Sequence, residues 1–226
     1  MKDVTFLLPA YNEEKSIGGL IAKINELYSS SDIIVIDNNS NDKTAEIATN
    51  LGAEVIFEKT QGKAHAIFKG FMHSDSKYVI MLDADNTYDP HDAYNLLEPL
   101  KKGEADLVLG SRLAGEKESG SISKLNVFGN YILSFIASLL YHPVSDVCTG
   151  YWVFSNEVVN YLIDVGIECS GFEVEAEMFA KVSKNNFKIV EMPISYRNRL
   201  DEPKLNSLKD GWKIFKTLLV FRFGSI

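Results

Sequence analysis

The 226-residue sequence is poor in cysteine and has no long hydrophobic run. Its two cysteines, Cys148 and Cys169, are too few for a disulfide-stapled fold, and the lack of a Cys-x-x-Cys pair excludes a zinc ribbon or a thioredoxin-type motif. We therefore expect a reducing compartment. The longest stretch without charge runs from Leu125 to Ser145. Its truly apolar part, Tyr131–Tyr141, is about half of the roughly 20 residues that a spanning helix needs, so we predict a buried or interfacial helix there.

Net positive charge is also lacking. The chain carries 23 Lys and Arg against 31 Asp and Glu, which argues against nucleic-acid binding because phosphate backbones attract lysine and arginine. The charge is unevenly distributed: residues 1–180 hold 13 Lys and Arg against 27 Asp and Glu, whereas residues 181–226 hold 10 against 4. A basic carboxyl end on an acidic body predicts contact with an anionic partner such as a membrane surface.

Short apolar runs alternate with helical patterns through the first half of the chain. The predicted strands are Val4–Leu8, Ile33–Ile36, Val55–Phe57, Tyr78–Leu82 and Ala105–Leu109. The predicted helices are Ile17–Leu27, Asp42–Leu51, Ala64–Met72 and a helix that starts at Asp89-Pro90 and reaches about Leu100. Such apolar strands separated by helices predict an α/β fold with a mostly parallel sheet flanked by helices.

The second half is less regular. A polar stretch at residues 114–124 is predicted to be a mobile loop, followed by the helix near Tyr131–Tyr141. The sequence SDVCTGYWVFS then predicts a turn and a short strand. A helix over Phe172–Lys184, a strand over Ile189–Ile194 and an amphipathic tail over Ser207–Phe223 complete the pattern. No repeat or linker divides the chain, so we expect one domain over residues 1–226.

In a sheet of this kind, ligands bind beyond the carboxyl ends of the strands. The turn after the first strand has no G-x-G-x-x-G motif, and Gln61-Gly62-Lys63 is not a Walker A motif, so ordinary NAD or P-loop binding is excluded. Asp37, at the end of the second strand, could bind a ribose hydroxyl or a base N–H. It could equally belong to a polar turn in which Asp42 caps the next helix.

Asp83 and Asp85 are the sharpest feature of the sequence, because they follow the fourth strand directly. With the period-two alternation of a strand, both side chains would point the same way. Two carboxylates at such a position can hold Mg²⁺ or Mn²⁺, with phosphate oxygens and water completing the coordination. The alternative is an acidic surface turn before a capped helix.

Taken together, the motifs resemble those of the family 2 glycosyltransferases of GT-A fold, a Rossmann-like architecture. The matching segments are PAYNEE after the first strand, Asp37, LDADNTYDP, ADLVLGSR, SDVCTGYWVFS, GFEVEAE and PISYRNR. The resemblance extends over almost the whole chain. Within the family, the sequence is most similar to the small enzymes that load a sugar onto dolichyl or polyprenyl phosphate.

The resemblance implies roles for individual residues. Those that would bind the nucleotide sugar are Pro9, Ala10, Tyr11, Glu13, Asp37, Lys63, Asp83, Ala84 and Asp85. Asp85 would be the principal metal ligand, assisted by Asp83. Arg112 would face the phosphates, and Arg197 and Arg199 would hold the acceptor phosphate, so these three arginines join the two aspartates as the catalytic set. Residues 1–112 would form the nucleotide-sugar-binding half and residues 113–226 the acceptor-binding half.

Three departures from the mannosyl-transferring members bear on the donor. Thr87 stands where those enzymes often have a glutamine that completes the metal site, and Glu173 stands where they tend to have a lysine. The usual GESKL is replaced by DEPKL at residues 201–205. The first two departures point towards UDP-sugars.

The implied activity is an inverting, Mg²⁺- or Mn²⁺-dependent transfer of a hexose or N-acetylhexosamine from a nucleotide sugar to polyprenyl (dolichyl) phosphate. A UDP-sugar such as UDP-N-acetylglucosamine is favoured over GDP-mannose. The protein would lie peripherally on the cytoplasmic face of a membrane, and an oligomer is compatible with the sequence. Alternatives are a soluble glycosyltransferase with a hydroxyl acceptor and a nucleotide-sugar-binding scaffold without turnover. For a hydroxyl acceptor, a general base would be sought among Glu173, Glu175 and Glu177, although we expect at least one of them to be merely solvated.

The tail is predicted to dock on the membrane surface without spanning it. Ile214, Leu218 and Phe221 would form an apolar stripe with Trp212. The basic residues that would reach lipid headgroups are Lys209, Lys213, Lys216 and Arg222. The alternative is a helix that packs on its own core or on a sister subunit.

Overall fold

The computed structural model describes residues 3–201 and 204–224. Strands and helices alternate along most of this part of the chain. The strands are β1 (Val4–Ala10), β2 (Asp32–Asp37), β3 (Glu54–Phe57), β4 (Tyr78–Met81), β5 (Leu107–Ser111), β6 (Trp152–Ser155) and β7 (Ile189–Pro193). The helices are α1 (Ile17–Leu27), α2 (Thr44–Asn50), α3 (Lys63–His73), α4 (Ala93–Lys101), α5 (Lys124–Leu140), α6 (Asn156–Val165), α7 (Val174–Ser183) and α8 (Ser207–Phe223).

The strands form one sheet in the order β3-β2-β1-β4-β6-β5-β7. Neighbouring strands are parallel except that β6 runs antiparallel to both β4 and β5. In this mixed, mostly parallel sheet, the carboxyl ends of β1 and β2 meet in register, with Ala10 beside Asp37. The predicted α/β architecture with flanking helices is therefore confirmed.

Hydrophobic layers cover both faces of the sheet. Because side chains alternate along a strand, Leu7 of β1 enters one layer whereas Phe6 and Leu8 enter the other. Helices α1, α2 and α4 cover the face of Phe6, and α3 and α5–α8 cover the face of Leu7. Trp152 of β6 is fully buried and stacks on Phe154. Truncating such a core side chain to alanine costs about 3–5 kcal/mol, so these layers hold the strand ends in place.

Helices α5 and α6 differ from the sequence-based expectation. α5 begins at Lys124 rather than near Tyr131, because Ser123 caps it by accepting a hydrogen bond from the Asn126 amide at 3.2 Å. α6 was not predicted. It follows β6 directly and is capped by Ser155, whose hydroxyl accepts from the Val158 amide at 3.3 Å.

The polar segment predicted to be a mobile loop is tied to the strand-to-tail connection. The Glu118 amide donates to the Tyr196 carbonyl at 2.9 Å, and the Tyr196 amide donates to the Glu116 carbonyl at 2.9 Å. This pairing fixes residues 116–118 beside residue 196. The segment therefore forms part of the framework around the carboxyl ends of the strands.

The tail helix α8 buries a different set of residues from the predicted stripe. Ile214 and Leu218 pack into the core, and the Tyr141 hydroxyl donates to the Leu218 carbonyl at 2.6 Å. Trp212 is 66% exposed on the opposite side of the helix. The predicted stripe that joined Trp212 to Ile214 is therefore wrong, since two residues apart on a helix means about 200° around its axis. No described helix is long and apolar enough to cross a membrane.

Candidate active site

The loop after β1 is joined to the loop after β2. The Glu13 amide donates to Thr44 Oγ1 at 2.8 Å, and the Asn12 amide donates to Ser40 Oγ at 2.9 Å. Asn12 has a φ of 51°, a left-handed conformation that asparagine tolerates better than most residues. These contacts hold the PAYNEE segment, including Pro9, Ala10, Tyr11 and Glu13, at the mouth of the sheet.

The predicted base-binding residue Asp37 lies at the same edge. It is buried, and its Oδ1 accepts from the Ser40 amide at 3.2 Å. Its neighbour Asn38, which sequence reasoning passed over, donates to the Thr60 carbonyl and accepts from the Gly62 amide, both at 2.7 Å. Asn38 thereby fixes the approach to α3. Gly62 has a φ of 143° and leaves no room for a Cβ, which would lie 2.2 Å from the Ser170 carbonyl oxygen.

Asp83 and Asp85 lie just beyond β4, which ends at Met81. They therefore sit in a turn, and the strand alternation that predicted parallel side chains does not apply. Their carboxylates are nevertheless close neighbours: burial raises the pKa of Asp85, and the charge of Asp83 raises it further. Ala84 between them is buried.

Lys63, at the first residue of α3, neutralises one side of this acidic turn. Its Nζ lies 2.6 Å from Asp83 Oδ1 and 2.6 Å from Glu175 Oε1. Burial alone would lower the pKa of Lys63, but the two carboxylates outweigh burial and raise it. Gly150 packs against the other side of Asp83, where a Cβ would lie 2.3 Å from Oδ2. Asp83 is therefore held from both sides by residues far away in sequence.

Asp85 is oriented by Thr87 and paired with Arg199. Thr87 donates to Asp85 Oδ1 through its amide at 3.0 Å and its hydroxyl at 2.6 Å. Arg199 Nη1 lies 2.9 Å from Asp85 Oδ2. Thr87, which stands where the mannosyl-transferring enzymes often have a glutamine, thus positions the carboxylate.

Basic residues between β7 and α8 contact the acidic residues of the site. Arg199 Nη2 lies 2.7 Å from Glu13 Oε1, and Lys204 Nζ lies 2.6 Å from the same oxygen. Arg197 pairs instead with Asp89, which Lys23 also contacts at 2.7 Å. Sequence reasoning passed over the Lys204 contact, although the basic character of this segment was its visible signal.

Arg112 is clamped by a buried carboxylate. Its Nε and Nη2 lie 2.7 Å from the two oxygens of Asp146, and its guanidinium carbon lies 5.5 Å above the Tyr196 ring. Burial would lower the pKa of Arg112, but Asp146 outweighs burial and raises it. The Asp146 amide in turn donates to Glu191 Oε1 at 2.9 Å. Arg112 is therefore a rigid cation beside the segment that carries Arg197 and Arg199.

The three glutamates around the start of α7 are all buried, which makes the expectation of a solvated member wrong. Glu175 pairs with Lys63, and burial raises its pKa. Glu177 pairs with Lys181 at 2.6 Å. Glu173 Oε2 has no hydrogen-bond partner among the described residues. Burial also raises the pKa of Cys148 to about 12, which leaves that thiol protonated and a poor nucleophile.

Asp83 and Asp85 fit a divalent cation that brings further ligands with it. Both offer hard oxygen donors. The burial of Asp85 and the negative charge of Asp83 beside it favour a neighbouring cation, and Lys63 and Arg199 supply positive charge at this place. Within the described ranges, no group of three or more His, Cys, Asp and Glu side chains is arranged to hold a metal ion. A Mg²⁺ or Mn²⁺ ion held by Asp83 and Asp85 would take phosphate oxygens and water at its other positions.

Comparisons with known proteins identify the family to which this chain belongs. The family model described as Glycosyl transferase family 2 matches residues 5–162. Similar curated proteins include glycosyltransferase AglJ of Haloferax volcanii, 32% identical over 99% of this chain and 76% of the relative. A dolichyl-phosphate hexose transferase of the same organism is 30% identical over 96% of this chain and 92% of its own length.

A third relative is the UDP-N-acetylglucosamine–dolichyl-phosphate N-acetylglucosaminyltransferase of Methanococcus voltae, 26% identical over 100% of this chain and 98% of the relative. Among solved structures, glucosyl-3-phosphoglycerate synthase of Mycobacterium tuberculosis with Mn²⁺, UDP and phosphoglyceric acid has a TM-score of 0.79 at 22% identity. That match covers 100% of this chain and 80% of the other and shows a common fold. The chain therefore belongs to glycosyl transferase family 2 and is a glycosyltransferase with the GT-A fold.

Proposed function

We propose that this glycosyltransferase moves a hexose or N-acetylhexosamine from a nucleotide sugar to a polyprenyl (dolichyl) phosphate. The observation that carries the proposal is the direct contact of Arg199 with both Asp85 and Glu13. It brings a basic segment suited to a phosphate acceptor onto an acidic site suited to a metal-bound nucleotide diphosphate. Two relatives whose names specify dolichyl phosphate support this acceptor.

In this proposal, residues 1–112 bind the donor. Tyr11 and Asp37 line the base and ribose pocket, and Asp83 and Asp85 hold Mg²⁺ or Mn²⁺. The ion, when bound, supplies charge stabilisation for the nucleoside diphosphate leaving group. Lys63 and Thr87 hold the two carboxylates in fixed orientations before the donor arrives, which lowers the cost of assembling the site.

Residues 113–226, together with Arg112, then serve the acceptor. Arg197 and Arg199 bind the lipid phosphate, and the clamp of Asp146 on Arg112 keeps a further cation beside them. One phosphate oxygen forms a bond to the anomeric carbon while the bond from that carbon to the nucleoside diphosphate breaks, which inverts the configuration. The second pKa of a phosphate monoester is about 6, so most of it is doubly ionised at neutral pH. It therefore needs no general base, in keeping with the ion pairs that occupy Glu175 and Glu177.

A UDP-sugar is the proposed donor. Thr87 and Glu173 depart from the mannosyl-transferring pattern, and the Methanococcus relative is named for UDP-N-acetylglucosamine. Calorimetry with UDP-N-acetylglucosamine, UDP-glucose and GDP-mannose in the presence of Mn²⁺ tests this choice. Tighter binding of GDP-mannose would reverse it.

The activity itself is tested with a short, water-soluble polyprenyl phosphate and a radiolabelled nucleotide sugar. The matched acceptor is the prenyl alcohol of the same length, which lacks the phosphate. We expect transfer to the prenyl phosphate and none to the prenyl alcohol. In the cell, the proposed place of this reaction is the cytoplasmic face of the membrane. Transfer to the alcohol or to a free sugar would establish a hydroxyl acceptor instead, and donor binding without any transfer would establish a scaffold.

A further inference from the structure

Helix α5 is apolar on its exposed side as well as on the side that packs on the core, where Leu133 and Ala137 are buried. The residues on its exposed side are Leu125, Phe128, Tyr131, Ile132, Phe135 and Leu139, each between 44% and 75% exposed. Ser134 is buried and accepts from the Val147 amide at 3.0 Å, and Ser138 donates to the Val144 carbonyl at 2.9 Å. A surface helix of a soluble domain has one apolar stripe, on the core, and a polar outer side, so the exposed apolar stripe of α5 is unusual.

The exposed patch is large for a single helix. The rings of Phe128, Tyr131 and Phe135 are 64%, 54% and 69% exposed. At 150–250 Å² per aromatic side chain, these three rings alone expose about 300–450 Å², comparable to the largest apolar patch of a typical monomer. The three aliphatic residues extend the patch along the helix. We expect an apolar partner to cover such a surface.

Helix α8 continues this character, since it packs against α5. Leu208, Trp212 and Phe223 are 77%, 66% and 68% exposed on its outer side. Exposed Lys209 and Lys216 lie among them. An indole interleaved with lysines is the pattern of a surface that rests at the headgroup level of a bilayer.

Charge decides between a membrane and a second copy of the chain. α8 contains three lysines and one arginine, and its one acidic residue, Asp210, is buried. Residues 121–144 contain Lys124 and no Asp or Glu. In a symmetric dimer built on this face, the same patch would meet itself and place like charges in proximity. An anionic bilayer matches both the apolar residues and the surrounding cations.

We propose that the outer faces of α5 and α8 form a membrane-docking surface, with α5 lying in the plane of an anionic bilayer and its aromatic residues inserted below the headgroups. The proposal deepens the proposed function, because a polyprenyl phosphate offers its reacting group at that same plane. The two ends of α5 connect through residues 112–123 and 141–146 to the Arg112–Asp146 pair. Docking through α5 would thus hold the pair of Arg112 and Asp146 close to the headgroups.

The test is flotation of the full chain with vesicles of phosphatidylcholine alone or of phosphatidylcholine and phosphatidylglycerol in equal parts. The Phe128→Ser/Phe135→Ser variant alters only exposed side chains of α5. The matched control, Met72→Ser/Tyr94→Ser, removes two residues that are 50% and 66% exposed on α3 and α4. We expect the wild type and the control to float with anionic vesicles and the α5 variant to bind about tenfold or more weakly, since each lost ring removes more than one methylene of buried apolar surface.

Two further readouts locate the contact. The chain has two tryptophans, and Trp152 is fully buried, so a blue shift of fluorescence on adding anionic vesicles reports on Trp212. The variant Lys209→Glu/Lys213→Glu/Lys216→Glu should lose binding to anionic vesicles by more than tenfold, because each basic residue near an anionic leaflet contributes about 1 kcal/mol. It should leave UDP-sugar binding unchanged.

Several outcomes would overturn the docking surface. These are a wild type that does not float, an α5 variant that floats as well as its control, or light scattering in which a wild-type dimer becomes a monomer on changing Phe128 and Phe135. Failure of the proposed function is a separate result. It would appear as absent transfer to the short soluble acceptor while flotation persists.

Discussion

The guanidinium of Arg199 lies 2.9 Å from the carboxylate of Asp85, on the oxygen that Thr87 leaves free. A divalent cation that binds Asp85 must therefore compete with Arg199 for Oδ2. This ion pair links the proposed donor and acceptor sites. When a cation displaces Arg199 from Asp85, the guanidinium becomes free to bind the acceptor phosphate.

We predict that Arg199→Gln binds Mn²⁺ about three- to tenfold more tightly than the wild type while it transfers sugar more slowly. The gain reflects removal of a competing charge-assisted contact, and the loss reflects a missing phosphate ligand. Mn²⁺ binding is measured by electron paramagnetic resonance without any substrate. The matched control is Arg197→Gln, whose arginine pairs with Asp89 and not with Asp85. Equal Mn²⁺ affinities for both variants would show that Arg199 does not compete with the ion.

A second prediction concerns Asp85 and the divalent cation itself. We expect EDTA to abolish transfer and added Mg²⁺ or Mn²⁺ to restore it, with Asp85→Ala at least about 10²-fold slower because its charge stabilisation is lost. Calorimetry should show that the variant loses the Mn²⁺-dependent part of UDP-sugar binding. Asp164→Ala, a change at an exposed position of α6, serves as the control. Full activity of the wild type in EDTA would refute a metal-dependent mechanism.

A third prediction follows from Lys63, which pairs with Asp83 and Glu175 at 2.6 Å each. Lys63→Met should lower the free energy of unfolding by about 3–5 kcal/mol, because it leaves the buried carboxylate of Glu175 and the partly exposed carboxylate of Asp83 without their cation. Lys102→Met, which breaks an exposed pair with Glu98 on α4, should cost less than about 1 kcal/mol. Urea unfolding measures both.

The double variant Lys63→Met/Glu175→Gln separates pairing from packing. If the cost of Lys63→Met comes from the unpaired charge, removing the charge of Glu175 should recover part of it. A double variant as unstable as the sum of its parts would show that Lys63 acts through packing alone.

The local sequence pattern was sufficient to predict the strands of the sheet and the position of the acidic turn. The apolar runs predicted β1–β4, and the strand-end rule placed attention on Asp37, Asp83 and Asp85, which do lie at the mouth of the sheet. The long-range partners could not be read in this way. Arg199 meets Glu13 across 186 positions of the sequence, and no periodicity encodes such a contact.

The burial of polar residues was also hard to predict from the sequence. Glu175 and Glu177 are two residues apart, a spacing that does not place them on one face of a helix, so at least one was expected to be solvated. Helix α7 instead lies within the core layer, and each glutamate pairs with a lysine. In α5 a second set of apolar residues faces outward, beside the set that packs on the core. A pattern of apolar residues reveals a stripe on a helix, but whether that stripe meets the core or a partner depends on the tertiary structure.

The last prediction concerns Asp89, which caps the turn before α4 and contacts Lys23, His91 and Arg197. Burial alone would raise the pKa of Asp89, but its hydrogen bonds with Lys23 and His91 and the charge of Arg197 lower it from 3.8 to about 2. A carboxylate with a lowered pKa stabilises the fold while it is ionised. Its contribution is therefore complete above about pH 4 and is lost as the pH falls from there towards about 2.

Asp89→Asn removes this charge at every pH, so its difference from the wild type should follow the same course. We expect the variant to be less stable by about 1–2 kcal/mol at neutral pH, the scale of a partly buried carboxylate with cationic partners. The difference should shrink as the pH falls below 4 and vanish only below about 2, where the wild-type carboxyl also becomes neutral in the folded state. Urea unfolding across this range measures it. A difference that stays constant with pH would mean that Asp89 acts through its capping hydrogen bond alone and that its charge contributes nothing to stability.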